Sequence, residues 1–287
     1  MKTINKIIQS QKVDMGGIIL DQPLPNNKMD QLDPFLLIHH WDSKLKGDQK
    51  QNEAGVGPHP HRGFSPVTFI FKGAVHHRDS RGNNSVVSGG GTQWMFSGLG
   101  ITHSERPSKE LAENGGDFEL IQFWLNVPAK NKFEQPYYKP ITYEDTPKWK
   151  SEDEKVEVGV VAGTFKNING LVEHFTPVTT LRFTFKKDGD VQFKIPSTYN
   201  TLIYVLNGSL KINDNEDVIS KELVWFNNDG EEISIKANED SRAILLAGEP
   251  INEEVVSYGP FVLNNHTQVM EALRDAQMGK MGVLIEE

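Results

Sequence analysis

Pro58-His59-Pro60-His61-Arg62-Gly63-Phe64 and, further along, Gly100-Ile101-Thr102-His103-Ser104-Glu105 place two pairs of metal-ligand types at the same i, i+2 spacing. On an extended strand, side chains two apart point to one face. His59 and His61 can therefore converge on one point, and His103 and Glu105 on another. Two such strands facing each other inside a small β-barrel would deliver three imidazoles and a carboxylate to one ion.

The rest of the chain supplies strands for such barrels. Val67-Thr68-Phe69-Ile70-Phe71 and Leu181-Arg182-Phe183-Thr184-Phe185 alternate in the manner of half-buried strands, with Gly and Asn between many similar segments. That pattern predicts barrels or sandwiches. The chain also repeats weakly: TFIFKGAVHHRD at 68–79 aligns without gaps on IYVLNGSLKIND at 203–214, with glycine at Gly73 and again at Gly208. Gln93-Trp94-Met95-Phe96 corresponds to Leu223-Val224-Trp225-Phe226 after a shorter loop. Duplication of one β-domain explains both matches. At the same offset, His59, His61, His103 and Glu105 become Lys194, Pro196, Asn238 and Asp240, so the second copy lacks the cluster and one metal per chain is expected.

Pro128, Pro136, Pro140 and Pro147 lie in a polar stretch between the copies. The expected organisation is a metal-binding domain over 1–135, a linker over 136–150 and a ligand-free domain over 151–287. Val269, Met270, Leu273 and Ala276 recur at helical spacing before Gly279, predicting a short helix over 267–278.

Composition narrows the function. The 287 residues suffice for two cores, and a net charge of −9 disfavours direct nucleic-acid binding. The absence of cysteine excludes disulfides, thiolate sites and cysteine nucleophiles. The first residues lack the apolar stretch of a secretory signal, and no apolar run approaches the ~20 residues of a membrane helix. A cytoplasmic protein with no membrane association is expected.

HPHRGF, GAVHHRDSRGN and QWMFSGLGITHSERP, in that order, resemble the pirin family of bicupins, and the likeness extends from Pro34-Phe35-Leu36-Leu37 to Tyr258-Gly259-Pro260-Phe261-Val262. The resemblance implies an all-β tandem cupin, two antiparallel β-barrels or jelly rolls with a short C-terminal helix that packs back across the first domain. The general cupin glutamate after HxH is replaced here by Ser65, which favours the pirin arrangement with Glu105 as the ligand carboxylate. Nitrogen and oxygen donors suit Fe, Ni, Co, Cu, Mn or Zn; the resemblance points to Fe.

It also implies a reaction. Some bacterial pirins are similar to quercetin 2,3-dioxygenases, which cleave a flavonol with dioxygen and release carbon monoxide. On that reading His59, His61, His103 and Glu105 hold the metal, and Glu105 also takes the flavonol proton as general base. Other pirins act as redox-sensing partners of transcription regulators or metabolic enzymes, and this alternative makes the metal a switch.

The remaining histidines have simpler readings. One of His39 and His40 should face a core or pocket rim. His76 and His77 are expected at the surface, with an inward one able to line the metal cavity. His174 and His266 are expected to be structural. Gly89-Gly90-Gly91 precedes a strand and reads as a turn, because a phosphate loop must open a helix. Ser104 points away from His103 along a strand, so a serine nucleophile is geometrically poor.

Overall fold

The computed structural model describes residues 1–286. The chain divides into two compact units, one built from residues 13–20, 36–145 and 252 onward, the other from 1–12, 21–35 and 146–251. Each is a jelly roll made from a seven-stranded and a four-stranded antiparallel sheet, and neither closes into a continuously hydrogen-bonded barrel.

In the first unit the larger sheet runs Tyr137–Ile141, Thr92–Phe96, Phe64–Lys72, Gly116–Asn126, Phe35–Leu45, Ile18–Leu24, Gln11–Met15. The smaller runs Val56–His61, Ile101–Pro107, Ala74–Asp79, Asn84–Ser88. In the second unit the smaller sheet repeats this order with Asp190–Lys194, Glu232–Ala237, Ser209–Ile212 and Glu216–Ile219. The hairpin glycines Gly73 and Gly208 both take positive φ, 74° and 84°. A Cβ at Gly208 would lie 2.1 Å from Ser241 Oγ, so the turn admits only glycine. Val67 pairs with Trp94 and its counterpart Leu202 with Trp225, so Trp225 and not Val224 takes the place of Trp94 and the second match read from the sequence is one residue out.

The expected linker over 136–150 is largely strand. Tyr137–Ile141 pairs with Thr92–Phe96, and Lys148–Lys150 pairs with Val156–Ala162. Pro140 is accommodated because Tyr137–Ile141 is an edge strand, where a missing N–H leaves no ladder bond unmade. The boundaries at 135 and 151 shift for a second reason. The N-terminal strand Ile4–Gln9 joins the second unit's sheet beside Glu222–Phe226, and residues from 252 onward belong to the first unit. Alternation within a strand does not say which sheet it joins.

The helix His266–Gln277 is capped by Asn265, whose side chain accepts from the Gln268 N–H at 2.9 Å, and Gly279 follows its end at φ 70°. Val269 and Ala272 are buried, whereas Met270 is exposed. Among the described residues no helix is long and apolar enough to cross a membrane.

The interiors differ. In the second unit Val191 pairs with Ile235 and Phe193 with Ile233, all buried in one apolar cluster with Phe165, Phe183 and Leu210. In the first unit the corresponding pair of strands sets His59 opposite His103 and His61 opposite Ile101. One jelly roll is filled with hydrocarbon; the other carries imidazoles inside.

Candidate metal centre

The three histidines meet. One ring nitrogen from each of His59, His61 and His103 lies within 4.8 Å of the others. His61 and His103 are buried and His59 is half-buried. His59 and His61 share a face of Val56–His61, and the antiparallel register brings His103 across from His59.

Hydrogen bonding fixes where the lone pairs point. His59 Nδ1 donates to the Gly57 carbonyl at 2.8 Å, and His61 Nδ1 donates to the Pro260 carbonyl at 3.2 Å. A carbonyl only accepts, so each Nδ1 carries the ring proton and each Nε2 of a neutral ring presents a lone pair. Those two Nε2 atoms face one another at 3.0 Å. Nitrogen donors about 2.1 Å from one ion and at right angles to each other stand about 3.0 Å apart. His103 supplies a second sign: it is 1 % exposed, and neither ring nitrogen has a hydrogen-bond partner. Such a group is costly to bury unless something else satisfies it.

The electrostatics agree with a cation-binding role. Burial holds the His61 and His103 imidazoles well below their usual range, and the neighbouring histidines push both further the same way. The rings are thus neutral donors at ordinary pH. The trio fits a borderline transition metal.

Glu105 stands beside this trio and lines the same cavity as His59 and His61. The register shift opposite it lies in the facing strand, where Gly57 and Pro58 stand against Ser104 alone, while His103, Ser104 and Glu105 pair without interruption with Asp79, Arg78 and His77, so His103 and Glu105 keep to one face of their strand. The Glu105 carboxylate accepts from Gln122 Nε2 at 2.9 and 2.7 Å, one bond to each oxygen, and from Thr68 Oγ1 at 3.0 Å. Gln122 Oε1 accepts in turn from the Trp124 indole N–H at 3.2 Å.

A cavity of about 260 Å³ opens against these groups. Leu37, Trp41, Val75, Phe118, Leu120 and Trp124 make its walls, while His59, His61, Glu105, Gln122 and His39 supply polarity. Met15, 41 % exposed, also lines it, so the cavity reaches the surface. Burial pushes the imidazole of His39, a wall residue, down to about 4, so it is neutral near pH 7.

The remaining histidines sort themselves. His39 lines the cavity, and His40 is fully buried against Glu119 at 3.2 Å. His77 is 1 % exposed, which corrects the expectation that it lies at the surface. It stacks on Tyr138 at 3.8 Å and donates through Nε2 to Asp79 Oδ2 at 2.9 Å, with its ring 5.4 Å from that of His103. Burial pushes the Asp79 carboxyl up, but hydrogen bonds from His77, Asn83 and the Arg81 and Asn83 amides outweigh it and hold it below its usual range. His76 bonds to Asn84 and Gln51 outside the cavity. Ser104 is buried between His103 and Glu105 on a strand whose side chains alternate, and Gly89 to Gly91 form a turn before Thr92–Phe96.

A second donor group, His40, Asp42 and Glu119, also gathers. Lys72 Nζ already lies 3.0 Å from Glu119 and 3.7 Å from Asp42, which supplies the positive charge there. Sequence reasoning missed Thr68, Gln122 and Trp124. A signal existed: in Phe118, Leu120, Gln122, Trp124 a glutamine interrupts an otherwise apolar alternate row.

Two jelly rolls in tandem, with histidine donors gathered in the first and an apolar interior in the second, define a bicupin with a histidine-rich candidate metal centre. The chain belongs to the pirin family. The family model for pirin matches residues 17–125, and that for the pirin C-terminal cupin domain matches residues 180–282. A pirin-like protein of Solanum lycopersicum is 32% identical over 282 residues, covering 97% of this chain and 92% of its own. A crystal structure of a quercetin 2,3-dioxygenase from Acinetobacter baumannii superposes with a TM-score of 0.93 at 32% identity, covering 99% of this chain and 100% of that one. A bacterial pirin from Escherichia coli, solved in complex with nickel(II), shares the fold with a TM-score of 0.67 at 19% identity, over 85% of this chain and 98% of that one.

Proposed function

We propose that this pirin is an iron-dependent dioxygenase of flavonol-type substrates, with His59, His61, His103 and Glu105 as ligands and Glu105 also as the proton acceptor. The observation that carries the reading is the junction of two features: paired imidazole lone pairs 3.0 Å apart, and an aromatic-walled cavity of about 260 Å³ that reaches solvent beside them. A regulator that only senses the state of an ion needs no such cavity.

The residues divide the work. Trp41, Phe118 and Trp124 offer flat apolar faces to a planar polyphenol. Glu105, on the same cavity wall, takes the proton of the substrate's enolic hydroxyl on a carboxylate oxygen. Gln122 and Thr68 orient that carboxylate, and the Leu37, Val75 and Leu120 side chains exclude water. A bound iron supplies Lewis acidity and open positions for oxygen ligands. Overall one flavonol and one dioxygen become one ring-opened ester and one carbon monoxide.

The test is direct. Iron-loaded protein in air should bleach quercetin while consuming oxygen and evolving carbon monoxide, and His103→Ala should do neither. Metal-replete protein that takes up no oxygen with any flavonol or catechol, yet captures a transcription regulator or metabolic enzyme in only one iron oxidation state, would replace this reading with the redox-sensing one.

A further inference from the structure

The strand Ile101–Pro107 turns His103 and Glu105 inward, so Thr102 and Arg106 lie on its outer face. Residues 281–286 run along that face. Met281 is buried and covers Gly100, where a Cβ would meet its side chain at 2.7 Å. Thr102 Oγ1 donates to the Gly282 carbonyl at 2.9 Å, and Ser80 Oγ donates to the Met281 carbonyl at 2.8 Å. The run reaches Arg106 as an ion pair, in which Nη2 at 2.6 Å and Nε at 3.2 Å donate to Glu286 Oε2. The two side chains are only 10 % and 6 % exposed, so the pair keeps its geometry where a solvated one would not.

The guanidinium is held from the other side as well. Arg106 Nη1 donates to the Ala54 carbonyl at 2.7 Å. Between these two anchors it lies against Gly57, where a Cβ would stand 2.8 Å from Nη2. Gly57 is not in the left-handed region of backbone space, so the space taken by Arg106, and not conformation, is what excludes a side chain there.

Gly57 is also where the facing strand bulges. With Gly57 and Pro58 both set against Ser104, Val56 and His59 can both turn inward and line the cavity. The Gly57 carbonyl accepts from His59 Nδ1 at 2.8 Å. We propose that Arg106, held by Glu286, is a positioning residue of the metal centre: its guanidinium fills the side-chain space of Gly57, fixes the bulge, and through the Gly57 carbonyl aims His59 Nε2 at the ion. The inference rests on His59, His61, His103 and Glu105 binding a metal.

Cobalt(II), titrated into the full chain against a chelator, is the probe. Arg106→Ala combined with Glu286→Gln removes the guanidinium without leaving a buried charge unpaired. This protein should bind cobalt about tenfold more weakly than wild type, within the range for groups that orient a ligand from outside. Its visible absorption, which follows donor geometry, should shift. Gly57→Ala alone should weaken binding by a similar factor, because its Cβ meets a guanidinium that is pinned. Added to Arg106→Ala, Glu286→Gln it should cost nothing more, since the space is then open.

A folded Arg106→Ala, Glu286→Gln protein with a lower urea midpoint but wild-type cobalt affinity and spectrum would make the clamp a support of the fold alone and overturn the proposal. A Gly57→Ala loss equal in both backgrounds would overturn it too. If the double variant does not fold, Glu286→Ala, which frees Arg106 from its carboxylate, takes its place with the same expected and contrary results. Wild-type protein that binds no cobalt would instead refute the metal reading beneath it.

Discussion

His59 and His61 direct their Nε2 atoms at one another across 3.0 Å while each Nδ1 donates to a main-chain carbonyl, Gly57 for the first and Pro260 for the second. The carbonyls decide the tautomers, and the tautomers decide that the lone pairs converge. One of the two carbonyls comes from the C-terminal segment of the chain, so the site draws together residues 199 positions apart in sequence.

Elemental analysis of protein purified without added metal should give about one transition metal per chain, the number one convergent trio supports. The His59→Ala, His61→Ala double variant should lose it. A full equivalent retained by that variant would move the site elsewhere, with His40, Asp42 and Glu119 the next place to look.

Glu105→Gln keeps the side-chain shape but turns an acceptor into an amide facing the Gln122 NH₂. Flavonol turnover should fall by about 10²–10⁴, the usual worth of a general base. Metal affinity should fall less than in His103→Ala. A variant with wild-type turnover would remove the proton-acceptor role.

The cavity histidine should leave a mark on stability. Burial pushes the His39 imidazole down to about 4 from an ordinary value of 6.5. As pH falls, the unfolded chain therefore binds the proton first. The contribution of neutral His39 is complete above pH 6.5 and is lost as pH drops toward 4, amounting to on the order of 2–3 kcal/mol. Urea unfolding from pH 7 to 4.5 should show wild type losing more stability than His39→Gln, which stays neutral throughout. Parallel losses in the two proteins would contradict the assignment.

Gly63, two residues after His61, has φ 89°, and a Cβ there would lie 2.1 Å from the Val262 carbonyl oxygen. Gly63→Ala combines a left-handed backbone penalty with overpacking and should cost on the order of 2–4 kcal/mol. The urea midpoint reads it. A midpoint within error of wild type would mean that the strand Phe261–Leu263 does not press on this turn.

Much of the molecule was legible before any coordinates. Period-two alternation gave the strands, the gapless repeat gave two copies of one unit, though its second match set Trp94 against Val224 where the ladders set it against Trp225, and the missing donors at Lys194, Pro196, Asn238 and Asp240 separated a histidine-bearing jelly roll from one packed with Phe193, Ile233 and Ile235. The same-face rule brought His59 and His61 together because it is a property of the extended backbone alone. It also set His103 and Glu105 on one face of their strand, but it could not show that Thr68 and Gln122, distant in sequence, would hydrogen-bond the carboxylate. It was silent on His77, whose parity allowed either face until stacking on Tyr138 chose the inner one. The sequence by itself determined what each strand could present. Which sheet took the N-terminal strand and the residues around Tyr137, and which carbonyl oriented His61, depended on long-range pairing, whose energies arise only when segments far apart in the chain are brought into contact.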